Sequence, residues 1–260
     1  MKIAISGATG RMGQSVARLA STDGVTIVGA IASSQSKHLG RDLGEVAGIG
    51  HLGVFVSDDM SAAFLGADVV IDFSTPSALG RLLPIAKRAC VPVVSGTTRL
   101  DAETEKRLDD AASLVPVLWA PNTSLGVQVL AEIVAEAVRR LGPGFDVEIV
   151  ETHHKAKIDS PSGTAVRLAN AAREGRPGLS SVYGREGNVG PRKEEEIGMF
   201  AVRGGDVIGD HTVHLLGLGE RLELTHRATN RDLFARGAIR AARFLIGKAP
   251  GRYSMRDVLG

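Results

Sequence analysis

Two rhythms of apolar and polar positions alternate along the first half of the chain. Short apolar runs, "KIAIS", "VTIVGAI", "DVVIDFS", "VPVVSG" and "VPVLWA", are separated by segments such as "ETEKRLDDAAS" with helical spacing and a charged face. Runs of this kind read as buried strands, and the alternation predicts a parallel sheet covered by helices. A longer helix is predicted at "SLGVQVLAEIVAEAVRRLG", where Val127, Leu130, Val134 and Val138 recur on one face and Gly142-Pro143 stops the run. From Phe145 the rhythm changes. "FDVEIVETH", "GMFAVRGG", "DVIGDHTVHLLG" and "RLELTHRA" follow closely, with one helical segment near "SGTAVRLANAAR" among them. This shift predicts a second domain with a mixed or antiparallel sheet, beginning near residue 125. Residues 175–196, "GRPGLSSVYGREGNVGPRKEEE", are rich in Gly, Pro and charge and read as a mobile surface loop or a partner-binding arm.

Composition narrows the function classes. The chain has 260 residues, 43% of them hydrophobic, enough to bury one large core or two modest ones. Lys plus Arg number 31 against 29 Asp plus Glu, a net charge of +2, so no broad basic field draws nucleic acid. No run of about 18 apolar residues predicts a membrane span, and "MKIAISGATG" lacks the features of an export signal, so a cytoplasmic protein is expected. The single Cys90 rules out a disulfide framework, and "KRACVPVVSG" suggests a small buried residue near a strand start rather than a catalytic thiol.

Two stretches carry candidate chemistry. "KIAISGATGRMGQSVARLA" places Gly7, Gly10 and Gly13 where a first strand turns into a helix, so backbone N–H groups and the helix dipole face an anion. The spacing is Gly-x-x-Gly-x-x-Gly with no following Gly-Lys-Ser/Thr, which favours a dinucleotide fold over a P-loop. "SGTT" at 95–98 and "APNTSLG" at 120–126 put small polar residues beyond the ends of two later strands, the edge where open parallel sheets bind ligands. The second stretch, "ETHHKAKIDSPSGTA", packs two histidines and two lysines before a helix start. Adjacent His153 and His154 point to opposite faces of a strand, which disfavours one shared metal, and no metal site is expected. Ser160 or Ser162 can cap the helix, and N–H groups around Gly163 and Thr164 form an anion nest suited to a carboxylate. Lys157 and one histidine can supply a second positive charge and a proton, as an acidic small molecule that is protonated during reaction requires.

Taken together, "GATGRMG", "SGTT", "APNTSLGV", "EIVETHHKAKIDSPSGTA", "RGGDVIGDHTV" and "GERLELTHRATNR" resemble, in this order and over nearly the whole chain, the bacterial dihydrodipicolinate reductases. These are, more fully, the 4-hydroxy-tetrahydrodipicolinate reductases of lysine and diaminopimelate biosynthesis. The resemblance implies an α/β protein: a Rossmann-like parallel-sheet dinucleotide domain, residues 1–124 completed by 232–260, and an α+β substrate and oligomerisation domain, residues 125–231. It implies a homotetramer and a small cyclic dicarboxylate as substrate; the two-domain arrangement itself lets closure exclude water, with hinges expected near Thr123 to Gly126 and Arg231 to Phe234. Carried over position by position, Gly7, Ala8, Thr9, Gly10, Arg11 and Met12 cradle the pyrophosphate, while Gly96, Thr97, Thr98, Ala120, Pro121, Asn122 and Thr123 line the nicotinamide side. His153 and Lys157 become the catalytic pair, either one the proton donor. His154, Lys157, Ser162, Gly163 and Thr164 hold the substrate carboxylates.

Cofactor choice is read from the end of the second strand, "VGAIASSQSKHLG", where NAD-accepting folds place an acid. Ser33 and Ser34 stand there instead, so nothing repels a 2′-phosphate, and Lys37 or Arg11 can attract it; NADPH is expected over NADH, with NADH still accepted. Two rival readings are a semialdehyde dehydrogenase-like enzyme, which needs a thiol at the ligand edge, and a non-catalytic NAD(P)H sensor, against which the His/Lys cluster argues.

Overall fold

A computed structural model describes residues Met1–Gly260, which form two compact units: Met1–Ser124 with Arg231–Gly260, and Leu125–Asn230. The first unit opens with β1 (Lys2–Ser6), α1 (Arg11–Thr22), β2 (Thr26–Ile31), α2 (Leu43–Ala47), β3 (Val56–Ser57), α3 (Met60–Ala63) and β4 (Val69–Asp72). It continues with α4 (Pro76–Ala89), β5 (Val93–Ser95), α5 (Ala102–Ala112) and β6 (Pro116–Trp119). The second unit holds α6 (Leu125–Leu141), β7 (Asp146–His153), α7 (Gly163–Gly175), β8 (Ser180–Tyr183), β9 (Glu196–Arg203), β10 (Gly209–Leu216) and β11 (Arg221–Ala228). The chain then adds α8 (Asp232–Leu245), β12 (Gly251–Tyr253) and α9 (Met255–Leu259) to the first unit.

In the first unit seven parallel strands run in the order β12-β6-β5-β4-β1-β2-β3. Ile3, Ala4 and Ile5 of β1 and Val69, Val70 and Ile71 of β4 are fully buried, because helices cover both faces and leave these strands no polar side. The strand order reverses at β1, so the crevice beyond the carboxyl ends of β1 and β4 is the topological switch point. The parallel sheet expected from the alternating pattern is therefore formed, in the Rossmann-like arrangement that the resemblance implies. Its seventh strand, β12, is not legible in the sequence: three residues, Gly251–Tyr253, pair with β6 and carry no periodic signal of their own.

Helix α8 lies against α1, β4, β5 and β6. It docks closely because its inward face is made of alanines, with Ala235, Ala238, Ala241 and Ala242 fully buried, and because a side chain at Gly237 would run into the Thr123 carbonyl.

In the second unit the sheet order is β11-β10-β7-β9-β8, with β7 antiparallel to β10 and parallel to β9. The sheet is mixed. Val127, Leu130, Val134 and Val138 are the buried face of α6, and the latter three join Val147, Ile149, Leu168, Ile197, Val213 and Leu215 in one core.

Two expectations need correction. Cys90 is exposed, not buried: it is the left-handed C-cap of α4 at φ 55, and its N–H closes the helix onto Lys87 and Ala86. The 175–196 stretch is no free loop throughout. Ser180–Tyr183 form β8 in parallel pairing with β9, and Arg185 and Arg192 tie the following turn to Glu148 at 2.8 Å each.

Candidate active site

Strand alternation builds the site of the second unit. Along β7, Val147, Ile149, Glu151 and His153 share the buried face, so the apolar stripe ends in a carboxylate and an imidazole. On the neighbouring β10, Gly209, His211, Val213 and Leu215 form the buried face, and His211 is paired directly with Glu151. Gly209 sits beside His153, where an added Cβ would come within 2.8 Å of Nε2.

Glu151 is the hub. Its carboxylate receives His153 Nδ1, both guanidinium arms of Arg203 at 2.8 and 2.7 Å, and the Ser162 N–H at 3.1 Å. Burial works to raise its pKa, but the hydrogen bonds and charges of Arg203 and His153 outweigh it and hold the group below the usual carboxylate range. An ionised carboxylate only accepts, so His153 Nδ1 carries the hydrogen and Nε2 is left as the exchanging nitrogen. Burial lowers the His153 pKa, with Glu151 opposing the shift and the charges of Lys157 and Arg203 adding to it. Burial also drives His211 down to about 3, so it is neutral; its ring meets His153 edge-on at 5.1 Å, and its Nε2 lies 2.9 Å from Ser162 Oγ.

Beyond β7 the backbone turns through His154, whose N–H bonds the Val207 carbonyl at 2.7 Å, to Lys157, whose ammonium is held by both oxygens of Asp159 at 2.8 Å. Ser162 then caps α7, its Oγ accepting the Ala165 N–H at 3.1 Å. Ser162 is only 2% exposed, so its hydroxyl faces the cap and His211, whereas Gly163 is exposed and Thr164 half-buried at the open end of the helix. The structure thus brings His153, Lys157, Ser162, Gly163 and Thr164 to one strand end and helix start, and it adds Glu151, Asp159, Arg203 and His211. A carboxylate at a core position of the β7 alternation is the signal for Glu151; nothing local marks Arg203 or His211, which reach the site by strand pairing.

The glycine turn lies in the first unit. Gly7 has φ +74, and a side chain there would strike the Phe73 carbonyl; one at Gly13 would strike the Gly7 carbonyl and Ala8. Gly10 is the N-cap of α1 and no side chain caps that helix, so the N–H groups of its first turn suit an anionic pyrophosphate. Ala8 is buried, its N–H on Ile31, while Arg11 is exposed and Met12 half-buried. Ser33 and Ser34 are exposed just after β2, with Ser33 Oγ accepting the Gln35 N–H at 3.2 Å and Lys37 exposed nearby.

The remaining residues lie past β5 and β6. Gly96 abuts the Phe73 ring, Thr98 and Pro121 are exposed, Ala120 is buried, and Asn122 Oδ1 accepts the Ser124 N–H at 2.9 Å. Thr97 and Thr123 are turned inward. Thr97 Oγ1 donates to Asp72 at 2.7 Å, and Thr123 Oγ1 donates to the Phe234 carbonyl at 2.7 Å.

Comparison with known proteins shows the family. Family models described as dihydrodipicolinate reductase, N-terminus, and dihydrodipicolinate reductase, C-terminus, match residues 1–123 and 126–259. A 4-hydroxy-tetrahydrodipicolinate reductase of Syntrophotalea carbinolica is 48% identical, covering 100% of this chain and 99% of its own. One from Geobacter sulfurreducens is 47% identical, covering 100% and 98%. Among solved structures, a dipicolinate-bound dihydrodipicolinate reductase from Paenisporosarcina sp. TG-14 shares the fold with a TM-score of 0.79 at 22% identity, covering 99% of this chain and 98% of that one. An amine dehydrogenase from Mycobacterium smegmatis has a TM-score of 0.60 at 17% identity, covering 98% and 95%. With both family models and relatives near half identity spanning its full length, this chain belongs to the dihydrodipicolinate reductase family.

Proposed function

We propose that this protein reduces 4-hydroxy-tetrahydrodipicolinate to tetrahydrodipicolinate with a reduced nicotinamide dinucleotide, NADPH in preference to NADH, in the cytoplasmic route to diaminopimelate and lysine. The observation that carries the reading is the buried Glu151–His153 pair beside Lys157 and the open start of α7, all inside "EIVETHHKAKIDSPSGTA", one of the stretches that carry the family resemblance.

Overall the reaction takes up a hydride and a proton and releases water. Hydride is what a dihydronicotinamide supplies when bound, on the first unit, with Gly7 to Met12 at its pyrophosphate and the loops past β5 and β6 at its nicotinamide. The second unit supplies the rest. The N–H groups of Gly163 and Thr164, the Thr164 hydroxyl, His154 and Lys157 hold the two carboxylates, which fixes the ring. Glu151 orients His153 so that Nε2 delivers the proton to the electron density that hydride addition leaves behind. A bound dicarboxylate favours the imidazolium and offsets the burial that otherwise keeps His153 neutral, and positioned acid catalysis of this kind contributes about 10²–10⁴-fold. Exposed Val202, Leu216, Leu218 and Leu222 in and beside β9, β10 and β11 support assembly through the second unit into a homotetramer.

Mixing the purified protein with NADPH and freshly made cyclic substrate tests the reading. Nicotinamide absorbance is expected to fall in proportion to substrate; binding of NADPH without turnover would leave only a cofactor-sensing role.

A further inference from the structure

The first unit buries a carboxylate that the reaction above does not use. Asp72, the last residue of β4, is 0% exposed, and no Lys, Arg or His forms an ion pair with it. Its Oδ2 accepts hydrogen bonds from Ser95 Oγ at 2.8 Å and Thr97 Oγ1 at 2.7 Å, and its Oδ1 accepts from Ser74 Oγ. The backbone joins in: Gly96 N–H donates to the Asp72 carbonyl at 2.8 Å, Ser74 N–H to Thr97 Oγ1 at 3.1 Å, and Thr97 N–H to Ser95 Oγ at 3.2 Å. One carboxylate therefore locks the segment after β4 to the segment after β5.

Its location says what the lock serves. Strands β4 and β5 are otherwise apolar, and hydrophobic residues would hold them together without the desolvation cost of a buried carboxylate. The polar network stands only at the carboxyl edge, where parallel sheets bind ligands. Phe73, the residue after Asp72, is wedged between two glycines: side chains at Gly7 and at Gly96 would both strike it. The glycine turn, the 73–75 segment and the 96–98 segment are thus packed on one another at the switch point.

We propose that Asp72 is a positioning residue for the dinucleotide, its carboxylate fixing the 73–75 and 96–98 backbone in the register that receives the nicotinamide half. Thr97 belongs to this lock and does not reach the cofactor through its hydroxyl. The proposal rests on the reductase reading given above.

The chain supplies its own reporter. Trp119 is the only tryptophan, and its Nε1 donates to the Thr97 carbonyl at 2.8 Å, so its fluorescence reads this segment directly. NADPH is titrated into the full-length wild type, Asp72→Ala, Asp72→Asn and Thr97→Val while Trp119 emission is followed, and KM for the cyclic substrate is measured at saturating NADPH. Asp72→Ala, which removes the acceptor that three hydroxyls share, is expected to weaken NADPH at least about tenfold and to shift Trp119 emission. Asp72→Asn, which keeps one acceptor oxygen, should recover most of that loss, and Thr97→Val should weaken NADPH about threefold, each with substrate KM within about twofold of wild type. Unchanged NADPH affinity in folded Asp72→Ala, or parallel loss of cofactor and substrate in every variant, overturns the proposal. If Asp72→Ala does not fold, Thr97→Val decides: wild-type NADPH affinity in that variant is equally fatal. A wild type that binds NADPH without turning over substrate defeats the reductase reading instead, and the binding titration still judges Asp72.

Discussion

His153 and Glu151 stand two residues apart on the buried face of β7, and the imidazole Nδ1 donates to the Glu151 carboxylate within the second unit. One strand thus presents an imidazole already oriented, with its tautomer set by a group that Arg203 and the Ser162 N–H hold in place.

That pairing predicts separable kinetic effects. Glu151→Gln presents an amide that can donate to Nδ1, which reverses the tautomer at Nε2; kcat should fall about 10²-fold with little change in KM for NADPH. His153→Ala should mainly depress kcat, whereas Lys157→Ala should depress kcat and raise substrate KM as well. Steady-state kinetics with both substrates varied check all three. Loss of NADPH affinity with unchanged turnover at saturation would contradict the assignment.

Stability should fall as pH is lowered from about 7 to about 5, the range over which unfolded histidines protonate. His211 has a folded pKa of about 3 against an ordinary 6.5, so its contribution is full above the unfolded value and is lost as pH falls below it. At pH 5 this one group should remove about 2 kcal/mol. Burial lowers His153 and His226 in the same direction. The lowered carboxylate of Glu151 loses its contribution only at more acid pH, below its ordinary value of 4.5. Denaturant unfolding of wild type and His211→Phe at the two pH values is the measurement; the variant should show a flatter dependence.

The start of α7 gives a third test. A Cβ at Gly163 meets nothing within 4 Å and the residue has no positive φ, so Gly163→Val leaves the fold intact and crowds only an incoming ligand. Substrate KM should rise with melting temperature nearly unchanged, and Thr164→Val should weaken substrate by the loss of about one hydrogen bond, roughly 0.5–1.5 kcal/mol. Pyridine-2,6-dicarboxylate should inhibit competitively against substrate in the wild type. Noncompetitive inhibition would place the acidic ligand elsewhere.

Cofactor choice is the fourth. Ser33 and Ser34 are exposed beyond β2 with Lys37 close in sequence and Arg11 exposed at the glycine turn, a neutral to basic setting for a 2′-phosphate. The ratio of kcat/KM for NADPH over NADH at fixed low salt should exceed one, and Ser33→Glu should shift it toward NADH by repelling the phosphate. A wild type that prefers NADH, or a variant with an unchanged ratio, would show that the ribose lies elsewhere.

Elements whose signal is periodic and local can be read from the residues alone. The fully apolar runs of β1 and β4, the one-sided α6 with its buried stripe at Val127, Leu130, Val134 and Val138, and the glycine turn after β1 all follow from residues near one another in the chain. A capped helix start near Gly163 is legible for the same reason, while the structure decides that Ser162 and not Ser160 is the cap. The rest needed the folded chain. β8 and β12 are strands only because β9 and β6 offer edges to pair with, since three or four residues cannot declare a period. Cys90 reads as core by composition, yet the end of α4 places it in a left-handed cap facing solvent. The inward hydrogen bonds of Thr97 and Thr123 have no local signal either: buried Asp72 and the Phe234 carbonyl take up their hydroxyls from 25 and 111 residues away. Arg203 and His211 reach Glu151 through cross-strand register. A hydrogen-bond partner is chosen by proximity in space, and proximity across strands is a property of the folded sheet that no local pattern encodes.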